Sequence, residues 1–175
     1  MTTYAAFIRG INVGGNNQIR MADLKSTCES AGLANVRTLL QSGNVVFDCK
    51  RGDPAAIIEK AIPMDVRVIA RTAYELRDVI ARNPFDEDRN PSLLIVFFLE
   101  KAPSKEALAA LKAAMQGPEE LHASGRELFV YYPDGMGKSK FTNVIVERKL
   151  GMAATARNWN TVMKVVGMVS GELGG

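Results

Sequence analysis

Two stretches carry most of the chemistry in this chain, "GMGKSK" (135–140) and "ARNWN" (156–160). Lys138 and Lys140 supply positive charge, and Ser139 supplies a hydroxyl. Arg157 offers a planar fork that matches a phosphate or carboxylate. Asn158 and Asn160 add amides, and Trp159 adds a stacking face. Between Gly137 and Lys164 six basic side chains stand against Glu147 alone, a local balance of +5 in a chain of +3. A basic loop that runs into a helix N-terminus is a good place for an anion. Lysine there opposes the helix dipole unless an anion is near. The chemistry expected is capture, without catalysis, of a small phosphate-bearing or otherwise anionic ligand. The competing reading is a solvated basic face with Trp159 packed as a lid on the core.

A second set carries amides rather than charge. "RGINVGGNN" (9–17) and "QSGN" (41–44) contain Arg9, Asn12, Gly14, Gly15, Asn17, Gln41, Ser42 and Asn44. Brought together, they form a rim able to hydrogen-bond a polar ligand, with glycines that let backbone N–H groups approach closely. The same amides could instead brace one loop against the other, because buried turns need partners for their backbone groups.

Other motifs carry less. "GMGKS" has the tail of a phosphate-binding P-loop, but its first glycine would fall at Tyr132, followed by Pro133, a loop too short and stiff to wrap a phosphate. Gly10, Gly14 and Gly15 lack the dinucleotide spacing. His122 is the sole histidine, which argues against histidine triads and multi-histidine metal sites. It is expected on a strand in a structural role. Cys28 falls on an apolar helix stripe and is expected in the core. Cys49 precedes Lys50 and Arg51, which favour its thiolate, but no general base is evident. The acidic run "DEDR" (86–89) is read as solvated linker. Neither a metal nor a cofactor is expected.

The charge of +3 is too mild to imply nucleic-acid binding by itself. The longest unbroken apolar run, Leu93 to Leu99, suits a strand and is far short of a membrane span. "MTTYAAFIRG" lacks the basic flank and cleavage site of a signal peptide. The cysteines match no metal or redox spacing. A cytoplasmic protein with no membrane association is expected.

The elements that must position these groups follow from periodicity and capping. A strand is expected over 4–11. Met21, Leu24, Cys28 and Ala31 mark one face of a helix that Gly32 stops. Strands over 36–40 and 45–49 flank the turn "QSGN". Asp53 caps a helix over 54–62 with Pro54 at its first position. A strand over 66–70 precedes a helix capped by Thr72, which should stop near "RNPF". The order then restarts: a strand over 93–99, a helix capped by Ser104, strands over 120–123 and 127–132, a helix over 140–150, a strand over 153–157 and a helix over 161–169. "ARTAYELRDVI" (70–80) aligns without gaps with "ARNWNTVMKVV" (156–166), and Ser42-Gly43 and Ser124-Gly125 mark matching turns. A strand order of βαββαβ is the ferredoxin-like unit. The fold expected is α+β, two tandem ferredoxin-like halves (βαββαβ plus a helix) with antiparallel sheets, over 1–85 and 90–175.

"RGINVGG", "QSGNVVF", "NPF" and "TARNWNT" occur in this order at these spacings. Together they resemble the bacterial domain-of-unknown-function family 1697, over nearly the whole chain. The resemblance implies a compact α+β protein of ferredoxin-like parts and implies no activity. It also implies lysines in the first loop, where this chain has Asn16 and Gln18.

In such a sheet the first strand-to-helix loop and the hairpin between strands two and three share one end. "GINVGGNN" should therefore meet "QSGN". In the second half, "PDGMGKSK" and "ARNWN" share the other end and should also meet. Three further readings stay open. RNA or single-stranded DNA could stack on Phe97, Phe98, Phe129, Tyr131 and Tyr132. The chain could be an enzyme acting on a phosphorylated small molecule. It could be a structural or dimerising module with an exposed apolar sheet face.

Overall fold

The structure, a computed structural model, describes residues 1–172. Among them eight strands and six α-helices form an α+β arrangement with two four-stranded antiparallel sheets. The chain divides into two compact units, Met1–Asp78 with the stretch from Lys164 onward, and Val79–Met163.

The first sheet contains β1 (Thr2–Arg9), β2 (Ala34–Leu39), β3 (Asn44–Cys49) and β4 (Arg67–Thr72), in the order β2-β3-β1-β4. The helices α1 (Met21–Ser30) and α2 (Pro54–Ala61) cover one face, where Ile8, Leu24, Cys28, Phe47, Ile58 and Val68 form the core. Asp53 caps α2, its Oδ1 accepting from the N–H groups of Ala55 at 3.0 Å and Ala56 at 3.3 Å, a contact worth about 1 kcal/mol. β1 ends at Arg9, two residues before its expected end, because Gly10 at φ +88° turns the chain. The helix α3 (Ala73–Ala81) follows β4 with no residue between them. Its start is a capping box. The Glu75 N–H donates to Thr72 Oγ1 at 3.2 Å, and the Thr72 N–H donates to Glu75 Oε2 at 2.8 Å.

The second sheet repeats this plan with β5 (Leu94–Leu99), β6 (Glu120–Ser124), β7 (Glu127–Tyr131) and β8 (Ala154–Asn158), in the order β6-β7-β5-β8. Every residue of β5 is buried, as a continuous apolar run in a central strand requires. The helices α4 (Lys105–Ala113) and α5 (Asn143–Leu150) close a core with Phe97, Leu111, Leu128, Phe141 and Val146. Ser104 caps α4 through the Ala107 N–H at 3.1 Å. The last helix, α6 (Trp159–Val169), follows β8 directly and starts two residues before its expected start. Asn158 Oδ1 accepts the Asn160 N–H at 2.9 Å and so turns the strand into the helix.

Cys28 lies wholly buried in the first core, and burial pushes its thiol up from 9.0 to about 11. The unfolded thiol ionises first as pH rises. The buried neutral thiol therefore contributes stability that is complete below pH 9 and lost as pH climbs to about 11. At most about 2–3 kcal/mol is at stake. Urea unfolding of the wild type and of Cys28→Ala between pH 8 and 11 measures it. The variant should be less stable at pH 8 but show a shallower alkaline decline, and parallel declines would refute this assignment.

Candidate functional site

The loop between β7 and α5 is held by a chain of three contacts. The buried Tyr132 hydroxyl donates to the Phe141 carbonyl at 2.9 Å, and burial raises its pKa above the usual tyrosine range. The Phe141 N–H donates to Ser139 Oγ at 2.9 Å. Ser139 Oγ–H donates in turn to Glu119 Oε1. These contacts keep the chain extended through Phe141. The helix expected from Lys140 therefore starts at Asn143, with Thr142 as an N-cap that makes no side-chain capping bond. Lys140 lies ahead of the helix rather than in its first turn.

The loop forms one wall of a cavity of about 600 Å³. Lys138, Ser139 and Lys140 line it from the loop. Arg148 and Lys149 line it from α5, together with Ile145. The spacing of three and four residues puts those side chains on one helix face. Glu119 and Asp134 are the carboxylates in the lining, against four cations. Glu119 Oε2 is buried and has no hydrogen-bond partner. It occupies room left by Gly117, where a Cβ would clash with the carboxylate.

Arg157 does not reach this cavity, contrary to the expected meeting of "GKSK" and "ARNWN". It pairs with Val96 across β5–β8, while its neighbour Ala156 pairs with Phe97 and packs on the core beneath α4 and α5. Alternation along a strand puts Arg157 on the opposite face from Phe141 and the lysine loop. Its Nη1 donates to Thr155 Oγ1 at 2.6 Å and to the Ala156 carbonyl at 2.9 Å. Burial pulls its pKa down to about 10. Asn158 is also committed locally, donating to the Ser92 carbonyl at 2.9 Å. Trp159 and Asn160 line a different cavity, of about 490 Å³, with Phe85, Asp86, Glu87 and Met163.

Residues 1–129 match the model of a family described as "Protein of unknown function (DUF1697)". The chain belongs to the DUF1697 family. In fold this DUF1697 chain is also similar to the conserved bacterial protein SP0830 from Streptococcus pneumoniae, at 22% identity and a TM-score of 0.74. The match covers 96% of this chain and 98% of that one. No curated protein matches the chain. The motifs "RGINVGG", "QSGNVVF" and "NPF" fall inside the matched stretch, whereas the lysine loop and α5 lie beyond it.

In the first unit of the DUF1697 chain, the two loops of the amide-rich set do meet. Asn12 Nδ2 donates to the Gln41 carbonyl at 2.8 Å and to the Ile19 carbonyl at 3.0 Å, and Asn12 Oδ1 accepts the Ile19 N–H at 2.9 Å. Asn17 Nδ2 donates to the Gly10 carbonyl at 2.8 Å. Asn44 Nδ2 donates to the Leu39 carbonyl at 2.8 Å and to Ser42 Oγ at 3.1 Å. Gly14 and Gly15 sit in a tight turn closed by the Asn16 N–H on the Val13 carbonyl at 3.0 Å. These amides brace the loops against each other. Asn12 and Gln41 also line a cavity with Arg20 and Met64, but Gly14, Gly15 and Arg9 do not.

The strand aromatics of the second unit offer no stacking platform: Phe97, Phe98 and Phe129 are wholly buried, and Tyr131 and Tyr132 nearly so. His122 lies on β6 with its ring edge-on to Phe85 at 5.2 Å. Cys49 is buried, with Sγ 3.3 Å from the Arg51 carbonyl. No helix among the described residues is long and apolar enough to cross a membrane. Arg148 and Lys149 belong to the basic stretch 137–164, but no sequence pattern joins them to the loop or marks Glu119, whose place depends on Gly117 and Ser139.

Proposed function

We propose that this DUF1697 protein binds a small anionic ligand, with a phosphate as the group recognised, in the cavity between α5 and the loop before it. The observation that carries this reading is the convergence of Lys138, Lys140, Arg148 and Lys149 on one cavity. Four cations held close repel one another and gain from a shared anion. Glu119 holds Ser139 and thereby the loop, so the lysines are placed by a fixed backbone. The same reading assigns each half, 1–85 and 90–175, to the ferredoxin-like type. The strand orders β2-β3-β1-β4 and β6-β7-β5-β8 support this. Two unpaired cysteines suit a reducing cytoplasmic setting.

Thermal unfolding with inorganic phosphate, pyrophosphate and mononucleotides, at low and moderate salt, tests this function. A bound anion at 100 times its Kd adds about 2.7 kcal/mol of stability. The double variant Lys138→Ala/Arg148→Ala should keep its unliganded midpoint, because both side chains are exposed, and should weaken binding at least about tenfold. No stabilisation by any anion would overturn the reading. So would stabilisation that the double variant leaves unchanged.

A further inference from the structure

We infer that the cavity bordered by Trp159 is a binding site for a small organic cation of the alkylammonium class. It is a separate site from the basic cavity and takes ligands of opposite charge. Its walls are apolar and polarizable: the indole of Trp159, the ring of Phe85, the thioether of Met163 and Leu94. Met163 remains 45% exposed, an apolar surface left open at the mouth. The exposed carboxylates of Asp86 and Glu87 also line the cavity. An aromatic face carries negative potential, and tryptophan is the best such face for a cation.

The one cation in the lining, Arg89, is already engaged. Its guanidinium bonds both carboxylate oxygens of Glu120, at 2.6 and 3.3 Å. It also lies over the Tyr131 ring, 4.8 Å from the centroid, and 5.7 Å from that of Phe85. With Arg89 balanced by Glu120, Asp86 and Glu87 set the sign of the cavity. The indole N–H of Trp159 makes no hydrogen bond among the described residues, and the ring's contact is with Phe129 at 6.4 Å. One side of the indole is thus braced by the core while the ring lines the cavity. The volume of about 490 Å³ suits a small-molecule ligand at the compact end of the usual range.

Trp159 is the only tryptophan in the chain, so its fluorescence reports this cavity directly. The probe is choline, set against its neutral isostere 3,3-dimethyl-1-butanol, with sodium chloride holding the ionic strength constant. Choline should change the emission saturably and bind at least about tenfold tighter than the neutral analogue. The double variant Asp86→Asn/Glu87→Gln should lose most of that preference while keeping the wild-type unfolding midpoint. Equal affinity for the neutral isostere would overturn the inference, as would no saturable response to choline or a preference that survives the double variant. Failure here would leave the anion site untouched, because phosphate binding is read by stability and choline binding by the indole.

Discussion

Replacing Phe97 by Ala should destabilise the protein by about 4 kcal/mol, within the range of large-to-small changes at wholly buried aromatics. Phe97 is fully buried in the central strand of the second sheet. It sits in the β5–β7–β8 ladder opposite Leu128 and Ala156 and within the core under α4 and α5. The one hydroxyl in that core set, on Tyr132, is already bonded to the Phe141 carbonyl, so transfer and cavity terms add. For a chain of this length the midpoint of thermal unfolding should drop by roughly 10 °C. Urea unfolding followed by Trp159 emission measures the loss where it occurs, since the indole belongs to the same unit. Phe97→Leu, which keeps most of the volume, should lose well under half as much. A loss below about 1 kcal/mol for the alanine variant would mean that this core is not packed as described.

The second large effect is expected at a turn. Gly43 has φ +84°, and a Cβ there would lie 2.6 Å from Ile11 Cδ1 and 3.1 Å from Ile8 Cβ. The first contact could be relieved by rotating a flexible side chain. The second involves a Cβ on the neighbouring strand, which moves only with its backbone. Gly43→Ala therefore combines left-handed strain of roughly 1–2 kcal/mol with overpacking, and a loss of about 3 kcal/mol is expected. Gly125 occupies the matching hairpin at φ +59°, but a Cβ there would only touch Arg82 Nη1 at 3.7 Å and Glu127 Oε2 at 3.9 Å. Gly125→Ala should lose about 1 kcal/mol. Parallel urea midpoints for the two variants decide the matter, and equal losses would show that the close approach to Ile8 is relieved.

Most of the element order could be read from the chain because local rules and tertiary packing agree. Asp53, Thr72 and Ser104 cap the helices expected of them, and the run ending at Leu99 forms the buried central strand. The echo between residues 70–80 and 156–166 is structural in origin. Arg71 and Arg157 occupy matching places in β4 and β8, both buried, and each donates to the carbonyl of the residue before it, at 3.0 and 2.9 Å. The error at Arg157 has a definite cause. In a strand whose two faces are both buried, the pattern of apolar residues no longer marks which face a given side chain takes. The end of β8 and the lysine loop lie at the same end of the sheet, but Arg157 is on the face away from the loop. The late start of α5 was hidden for another reason. It depends on the Tyr132 hydroxyl reaching Phe141 across the loop, a tertiary contact with no local signature. In the first half, the choice between ligand rim and brace turned on where amide hydrogens point, which composition does not encode.

The two seams where a strand passes straight into a helix, at Thr72–Ala73 and at Asn158–Trp159, bear on how such a chain can change over time. A residue added at either seam would swing the following helix by about 100° about its axis, and at the second seam it would carry the indole away from its cavity. Length can vary in the connections that have slack, such as the stretch between α3 and β5. It cannot vary at the seams without breaking two elements at once. If one half arose by copying the other, the seam was copied as a joint, and it has kept its length because neither neighbour has slack to absorb a change.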